Sequence, residues 1–217
     1  MFHDLIWDVD GTIFDTYPAF ARAVQAALVD LGGAVPLGRI DGLCRQSLGH
    51  CVATFASEFG LDADELAEGF NQHYAAVPPQ DQPPFPGVVD VCTYVRSIGG
   101  KNLIVTHRGR QSLQRLLATH GMAEYFADCL TYDDEYPRKP DPASFEEMIQ
   151  RHHLAREEVL AIGDRDLDVL AGRAAGVRTC RFGAPSTAVV ADYSIAEYAE
   201  LYRLLVTENE GRPPLVI

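Results

Sequence analysis

Leu5-Ile6-Trp7-Asp8-Val9-Asp10-Gly11-Thr12 is the stretch whose reading decides the fold. Apolar residues run from Leu5 to Trp7, short enough for a fully buried strand, and end at two carboxylates separated by Val9. Where strand geometry persists past the sheet edge, Asp8 and Asp10 have the same parity. Gly11 lets the chain turn sharply just beyond, so both carboxylates reach one small site. Two acidic groups at the C-terminal end of a strand suit a divalent cation, with one carboxylate left to act as nucleophile or as acid and base. A calcium loop also begins Asp-x-Asp-Gly, but it needs glycine at its sixth position and glutamate at its twelfth. Counted from Asp8, those positions hold Ile13 and Ala19, which excludes that loop. A solvated acidic turn stays open on this stretch alone.

Downstream, Asp15-Thr16 can cap a helix, and Pro18 is tolerated in a first turn. Phe20, Val24, Ala27, Leu28 and Leu31 then recur at helical spacing until Gly32-Gly33. Val52, Phe55, Ala56 and Phe59 repeat the pattern, as do Leu66, Phe70 and Tyr74, so residues 16–82 are expected to form an all-helical insertion. It closes at 77–87, where five prolines in eleven residues forbid a regular helix or central strand and make a stiff linker. With the Asp15-Thr16 turn, this gives the insertion two connections, as a lid requires.

Beyond the linker the pattern alternates. Helices are expected over 88–98, 113–120, 142–152, 169–175 and 195–206, and strands over 103–106, 129–131, 159–163 and 177–182. The spacing predicts an α/β fold, a doubly wound parallel sheet formed by 1–15 and 83–207, with 208–217 a mobile tail.

At 217 residues and 47% hydrophobic content, one large domain with an insertion has ample material for a core. A net charge of −13 argues against nucleic acid and against an anionic membrane surface as partners. Five scattered cysteines, none spaced Cys-x-x-Cys, fit free thiols in a reducing compartment. No apolar run approaches membrane-spanning length and the N-terminus has no basic leader pattern, so a cytoplasmic protein is expected.

In open α/β sheets ligands bind outside the carboxyl ends of the strands. Four such loops carry chemistry: Asp8 with Asp10; Thr106-His107-Arg108-Gly109; Arg138-Lys139-Pro140-Asp141-Pro142; and Gly163-Asp164-Arg165-Asp166-Leu167-Asp168. Singly, each has an ordinary reading: a strand-end threonine, a surface lysine, aspartates capping a helix, and His107 and Arg108 at the rim. Lys139 is one of only two lysines in the chain, which makes its position informative. Together these loops supply several carboxylates, a hydroxyl and an ammonium. That set suits a phosphate monoester, whose charge a cation and a lysine offset while a carboxylate attacks phosphorus.

The order of these motifs resembles the haloacid dehalogenase-like hydrolase superfamily, in its branch with a helical cap after the first motif. The likeness runs over roughly residues 4–183, with Pro86-Gly87-Val88 and Ala171-Gly172-Arg173-Ala174-Ala175-Gly176 resembling the flanking signatures. The resemblance implies that Asp8 is the nucleophile and that Asp10 protonates the leaving oxygen and later activates water. It implies that Thr106 binds phosphoryl oxygens and that Lys139 offsets their charge and holds Asp8. It implies Mg2+ held by Asp8, the Asp10 backbone carbonyl and Asp164. Asp168 would act in support, and Gly11 and Thr12 would begin the turn that couples site and cap.

Within that family Asp10 favours a phosphatase over a dehalogenase, because an alkoxide leaving group needs an acid and a halide does not. A phosphonate-cleaving relative would need a cap lysine, and 17–77 contains none. A sugar phosphomutase stays open as an alternative, weakened by the absence of a histidine after the first motif, where the chain reads Asp15-Thr16-Tyr17-Pro18. A non-catalytic scaffold or binding protein is the alternative of a different class. Arg45-Gln46-Ser47-Leu48-Gly49-His50 resembles the cap segment through which phosphoglycolate phosphatases approach substrate. Arg45, His50, His107 and Arg108 are therefore the specificity candidates. The expected ligand is a small anionic phosphomonoester close to phosphoglycolate, and the expected assembly is a monomer or homodimer. Thr106-His107-Arg108 departs from the serine- or threonine-asparagine pair frequent in relatives.

Overall fold

The structure is a computed structural model that describes residues 1–209. The chain divides into two compact units, one formed by 1–14 and 84–209, the other by 15–83. No helix among the described residues is long and apolar enough to cross a membrane.

The first unit is a six-stranded parallel sheet. Its strands are β1 (Asp4–Trp7), β2 (Asn102–Val105), β3 (Phe126–Leu130), β4 (Val159–Gly163), β5 (Arg178–Phe182) and β6 (Tyr193–Ile195), in the order β3-β2-β1-β4-β5-β6. The order reverses beside β1, which pairs with β2 on one side and β4 on the other. That reversal opens a crevice at the carboxyl ends of these strands. Side chains alternate across the sheet as a two-residue period requires. Leu5 and Trp7 enter one core with Ile104, Leu160, Ile162, and residues of the helices Val88–Ser97, Arg110–Thr119 and Tyr198–Glu208. Ile6 enters the other, with Leu103, Val105, Ala161, and residues of Ala143–Arg151 and Asp166–Ala174. Helices thus cover both faces, and β1 is buried at every position. The polar edge of Trp7 is satisfied, because its Nε1 donates to Asn102 Oδ1 at 3.1 Å.

The second unit packs four helices: α1 (Tyr17–Asp30), α2 (Leu37–Gln46), α3 (Leu48–Phe59) and α4 (Ala63–Ala75). The helices after it are numbered α5 (Val88–Ser97), α6 (Arg110–Thr119), α7 (Ala143–Arg151), α8 (Asp166–Ala174) and α9 (Tyr198–Glu208). The core of the second unit takes Val24, Ala27 and Leu28 from α1, Ile40 and Cys44 from α2, Phe55 from α3, and Leu66 and Phe70 from α4. Asp62 caps α4 by accepting from Asp64 N and Glu65 N, and Ser47 caps α3 by accepting from His50 N. The unit's two ends meet, Asp15 N donating to Pro83 O at 2.9 Å.

Four sequence expectations need correcting. Helix α2 was not foreseen, because Gly38 and Gly42 weaken its helical signal. Residues 193–195, expected partly at the start of the last helix, instead form β6, and α9 begins at Tyr198. Thr16 occupies the N-cap of α1, but its hydroxyl makes no capping bond and is buried without a partner. The expected tail begins too early. Glu208 ends α9, and Asn209 is buried, accepting from Phe2 N and donating to Phe2 O; the rest of that stretch, 210–217, lies outside the described residues.

Candidate functional site

The first motif folds into a tight loop directly after β1. Val9 O accepts from the backbone N–H groups of Thr12, Ile13 and Phe14, and Gly11 takes φ +79°, a conformation costly for any residue with a Cβ. Asp8 stays on the ladder, its N–H donating to Ile162 O at 2.9 Å, so its side chain is fixed at the strand end. The turn is also tied from α9, where the Tyr198 hydroxyl donates to Thr12 O at 2.7 Å.

Lys139 reaches this point from the loop before α7. Its ammonium donates to Asp8 Oδ1 at 2.5 Å and to Val105 O at 3.1 Å, and it pairs with Asp168 Oδ1 at 2.6 Å. Two N–H groups thus meet two oxygens, while Asp168 Oδ1 faces the ammonium as an ion pair without a hydrogen bond of its own. The Lys139 side chain is 1% exposed and both aspartates are 3% exposed, so the cluster is removed from water. Burial works against the charge on Lys139, but Asp168 and Asp8 outweigh it and hold the ammonium above its ordinary range. Burial also pushes Asp8 up, to about 6, against the pull of Lys139 and with the help of neighbouring Asp168. Asp168 goes the other way: burial would raise it, but Lys139 and Arg165 hold it below the usual carboxylate range.

Asp164 begins the loop after β4, and Thr12 Oγ1 lies 3.2 Å from Asp164 Oδ1 and 3.4 Å from Asp8 Oδ2. Asp168 sits in the first turn of α8, where its Oδ2 accepts from Arg165 N at 3.1 Å. It therefore caps the helix with one oxygen and pairs with Lys139 through the other. Gly163 makes room for it, since a Cβ there would lie 2.3 Å from Asp168 Cβ. Asp8, Asp164 and Asp168 each place a carboxylate oxygen within 4.8 Å of the others, a group of hard oxygen donors suited to a divalent cation such as magnesium.

Asp10 lies outside that trio, and its carboxylate is engaged elsewhere. Arg108 Nε donates to Asp10 Oδ1 at 3.1 Å and to Oδ2 at 3.3 Å, and Arg108 Nη2 donates to Oδ1 as well. Thr106 is buried at the end of β2, and its Oγ1 accepts from Arg108 N at 3.1 Å. His107 Nε2 accepts from Lys139 N at 2.9 Å, which fixes that nitrogen as the unprotonated one. Burial first, and then the charge of Lys139, depress His107 to about 4. A cleft of about 400 Å³ opens beside Thr106 and His107 and is lined by Thr131, Tyr136 and Arg138, but by none of the three aspartates.

Arg45 and His50 belong to the helical unit. Arg45 Nε donates to Asp41 Oδ2 at 2.8 Å, one turn back on α2, and its guanidinium stacks over Tyr17, 4.8 Å from the ring centroid. Asp15, pushed up by burial, feels Arg45 as an opposing pull. His50 is exposed in the first turn of α3. The sequence reading assigned no role to Asp41, Arg165, Ser112 or Tyr198. Asp41 and Ser112 each carried one available signal, a place four residues from Arg45 and from Arg108, and Arg165 lies three residues before Asp168; Tyr198 acts through a contact between distant segments.

Three comparisons bear on this arrangement. The sequence model of the family described as haloacid dehalogenase-like hydrolase matches residues 5–182. The chain is 30% identical over 183 residues to the plasmid-encoded phosphoglycolate phosphatase of Cupriavidus necator, covering 81% of this chain and 79% of that protein. Among solved structures, a hydrolase from Streptococcus pneumoniae TIGR4 is similar at 26% identity with a TM-score of 0.65, covering 94% and 98% of the two chains. A haloacid dehalogenase-like protein from Agrobacterium tumefaciens strain C58 shares the fold at 18% identity and a TM-score of 0.77, covering 97% and 100%.

Proposed function

The chain belongs to the haloacid dehalogenase-like hydrolases, and on that premise we propose that it is a magnesium-dependent phosphatase acting through an aspartyl-phosphate on a small phosphomonoester. The observation that carries this reading is the buried Lys139 ammonium bridging Asp8 and Asp168 at the carboxyl ends of the strands. A buried ion pair is costly to build and weak evidence for stability alone. Here it holds one carboxylate and one fixed positive charge at the carboxyl ends of β1 and β2, beside the sheet's switch point, the region where ligands of such sheets bind.

In this reading an Asp8 oxygen attacks phosphorus as the bond to the leaving oxygen breaks. Asp10 gives its proton to that leaving oxygen. Water then attacks the aspartyl-phosphate, Asp10 takes a proton from it, and phosphate departs with Asp8 restored. Lys139 and the Thr106 hydroxyl offset the charge on the phosphoryl oxygens. Asp8 and Asp164 would hold magnesium together with the Asp10 backbone carbonyl, and bound there it would supply further positive charge against those oxygens and favour ionised Asp8. Asp168 holds Lys139 in place. The helical unit serves as the cap, and Arg45 gives it a guanidinium for a substrate carboxylate. The likeness to phosphoglycolate phosphatases favours a carboxylated two-carbon phosphate as substrate. Five free thiols support a reducing compartment such as the cytoplasm.

The test is phosphate release, with magnesium, from phosphoglycolate, hexose phosphates, nucleotides and p-nitrophenyl phosphate. We expect turnover with phosphoglycolate preferred, loss with a chelator, and a loss of roughly a thousandfold or more in Asp8→Asn. Release that survives Asp8→Asn would overturn the covalent route. Isomerisation of a hexose phosphate without net release would move the protein to the mutases.

A further inference from the structure

The contacts around Asp10 are uneven. Oδ1 accepts from both Nε and Nη2 of Arg108, whereas Oδ2 shares Nε at the longer distance of 3.3 Å. The arginine is itself fixed at several points. Its Nη1 donates to Ser112 Oγ at 2.6 Å, in the first turn of α6, and its backbone N–H donates to Thr106 Oγ1 at 3.1 Å. The Arg108 side chain is 4% exposed against 17% for Asp10, so the anchored partner is the buried one. A planar guanidinium held this way sets the orientation of a carboxyl group as a point charge on a flexible stem does not.

We propose that Arg108 is the positioning residue for Asp10: it grips Oδ1 and leaves Oδ2 as the oxygen through which the proton passes. The assignment rests on the phosphatase reading above. A carboxyl protonated on Oδ2 still accepts through Oδ1, so the grip persists in both protonation states. In the first half-reaction the Asp8 oxygen bonds to phosphorus and the phosphorus–leaving-oxygen bond breaks. The leaving oxygen keeps the electron pair and takes the proton from Oδ2. In the second, water oxygen bonds to phosphorus, its proton goes to Oδ2, and the electron pair of the breaking bond returns to Asp8. One residue thereby links Thr106, through its main chain, to Asp10, through its side chain.

The readout is leaving-group dependence. An alkyl phosphate needs a proton as its oxygen departs, and p-nitrophenolate leaves without one, while kcat/KM reports the first half-reaction for both. In Arg108→Ala, kcat/KM for the best alkyl substrate of the panel falls about thirtyfold or more, and for p-nitrophenyl phosphate by less than about threefold. Arg108→Lys lies between wild type and Arg108→Ala on the alkyl substrate, and its ratio of the two substrates serves if Arg108→Ala does not fold. In an Asp10→Asn background, Arg108→Ala costs nothing further on the alkyl substrate, because it acts through a group already removed. Equal losses on both substrates overturn the assignment, as does full additivity with Asp10→Asn. A rise in KM with kcat unchanged also overturns it and makes Arg108 a substrate-binding group. Silence of the wild type toward every monoester strikes the phosphatase reading itself and removes this assignment with it; turnover with equal losses removes this assignment alone.

Discussion

Lys139 in the α/β unit and Arg45 in the helical unit are both cations held by aspartates, and they are built in opposite ways. Lys139 meets Asp8 across 131 positions of sequence and is 1% exposed. Arg45 meets Asp41 across four positions of one helix and is 49% exposed. The first pair exists because a parallel sheet brings the ends of β1 and β2 to the loop before α7. The second needs nothing beyond helical geometry. A pair assembled by topology in a dry crevice is coupled to everything around it. A local pair in water is nearly independent of the fold.

Removing each cation gives the widest contrast. Lys139→Ala leaves Asp8 and Asp168 buried without their shared partner, and breaking such a cluster costs about 3–5 kcal/mol. We expect a matching drop in urea unfolding free energy. A loss under about 1 kcal/mol would mean that water already reaches the cluster, and the contrast with Arg45 would collapse.

His107 sharpens the same contrast by pH. Its folded value of about 4 lies below the ordinary value near 6.5, and its Nε2 must stay unprotonated to accept from Lys139 N. Between those values the unfolded chain binds a proton that the folded one refuses. This contribution to stability is therefore present above pH 6.5 and is lost as pH falls toward 4. His107→Gln keeps an acceptor without the titration. The urea midpoint of wild type should fall more steeply than that of His107→Gln between pH 6.5 and 4.5. Parallel curves would show that Lys139 does not depend on a neutral His107.

What could be read from the sequence follows the same division. The strand from Leu5 to Trp7 and the helix-strand alternation after residue 87 were legible, because each is a local periodicity. Asp8, Thr106, Lys139, Asp164 and Asp168 were legible as an ordered set of strand-end motifs, and of these the structure brings Asp8, Lys139, Asp164 and Asp168 together. The grip of Arg108 on Asp10 was not, because 98 positions separate the two and no spacing encodes it. Tyr198 closing on Thr12 O is separated by 186 positions and left no trace either. Helix α2 failed for the opposite reason. Its contacts are local, but two glycines dilute the pattern, and it is made helical by burying Ile40 and Cys44 against its neighbours.

Arg45→Ala is the smallest expected change in stability and the most selective in activity. An exposed pair four residues apart, with one cation–π contact, is worth about 1 kcal/mol or less, so the urea midpoint should barely move. If Arg45 turns from Asp41 to a substrate carboxylate, KM for phosphoglycolate rises while KM for p-nitrophenyl phosphate, which has no carboxylate, stays put. Asp41→Asn is the companion variant, because it frees the guanidinium without removing it. It should leave KM for phosphoglycolate unchanged or lower it, since the substrate no longer competes with Asp41. Equal shifts on both substrates in Arg45→Ala would confine this arginine to holding its own helix, and specificity would then have to come from groups beside Thr106 such as His107 and Arg138.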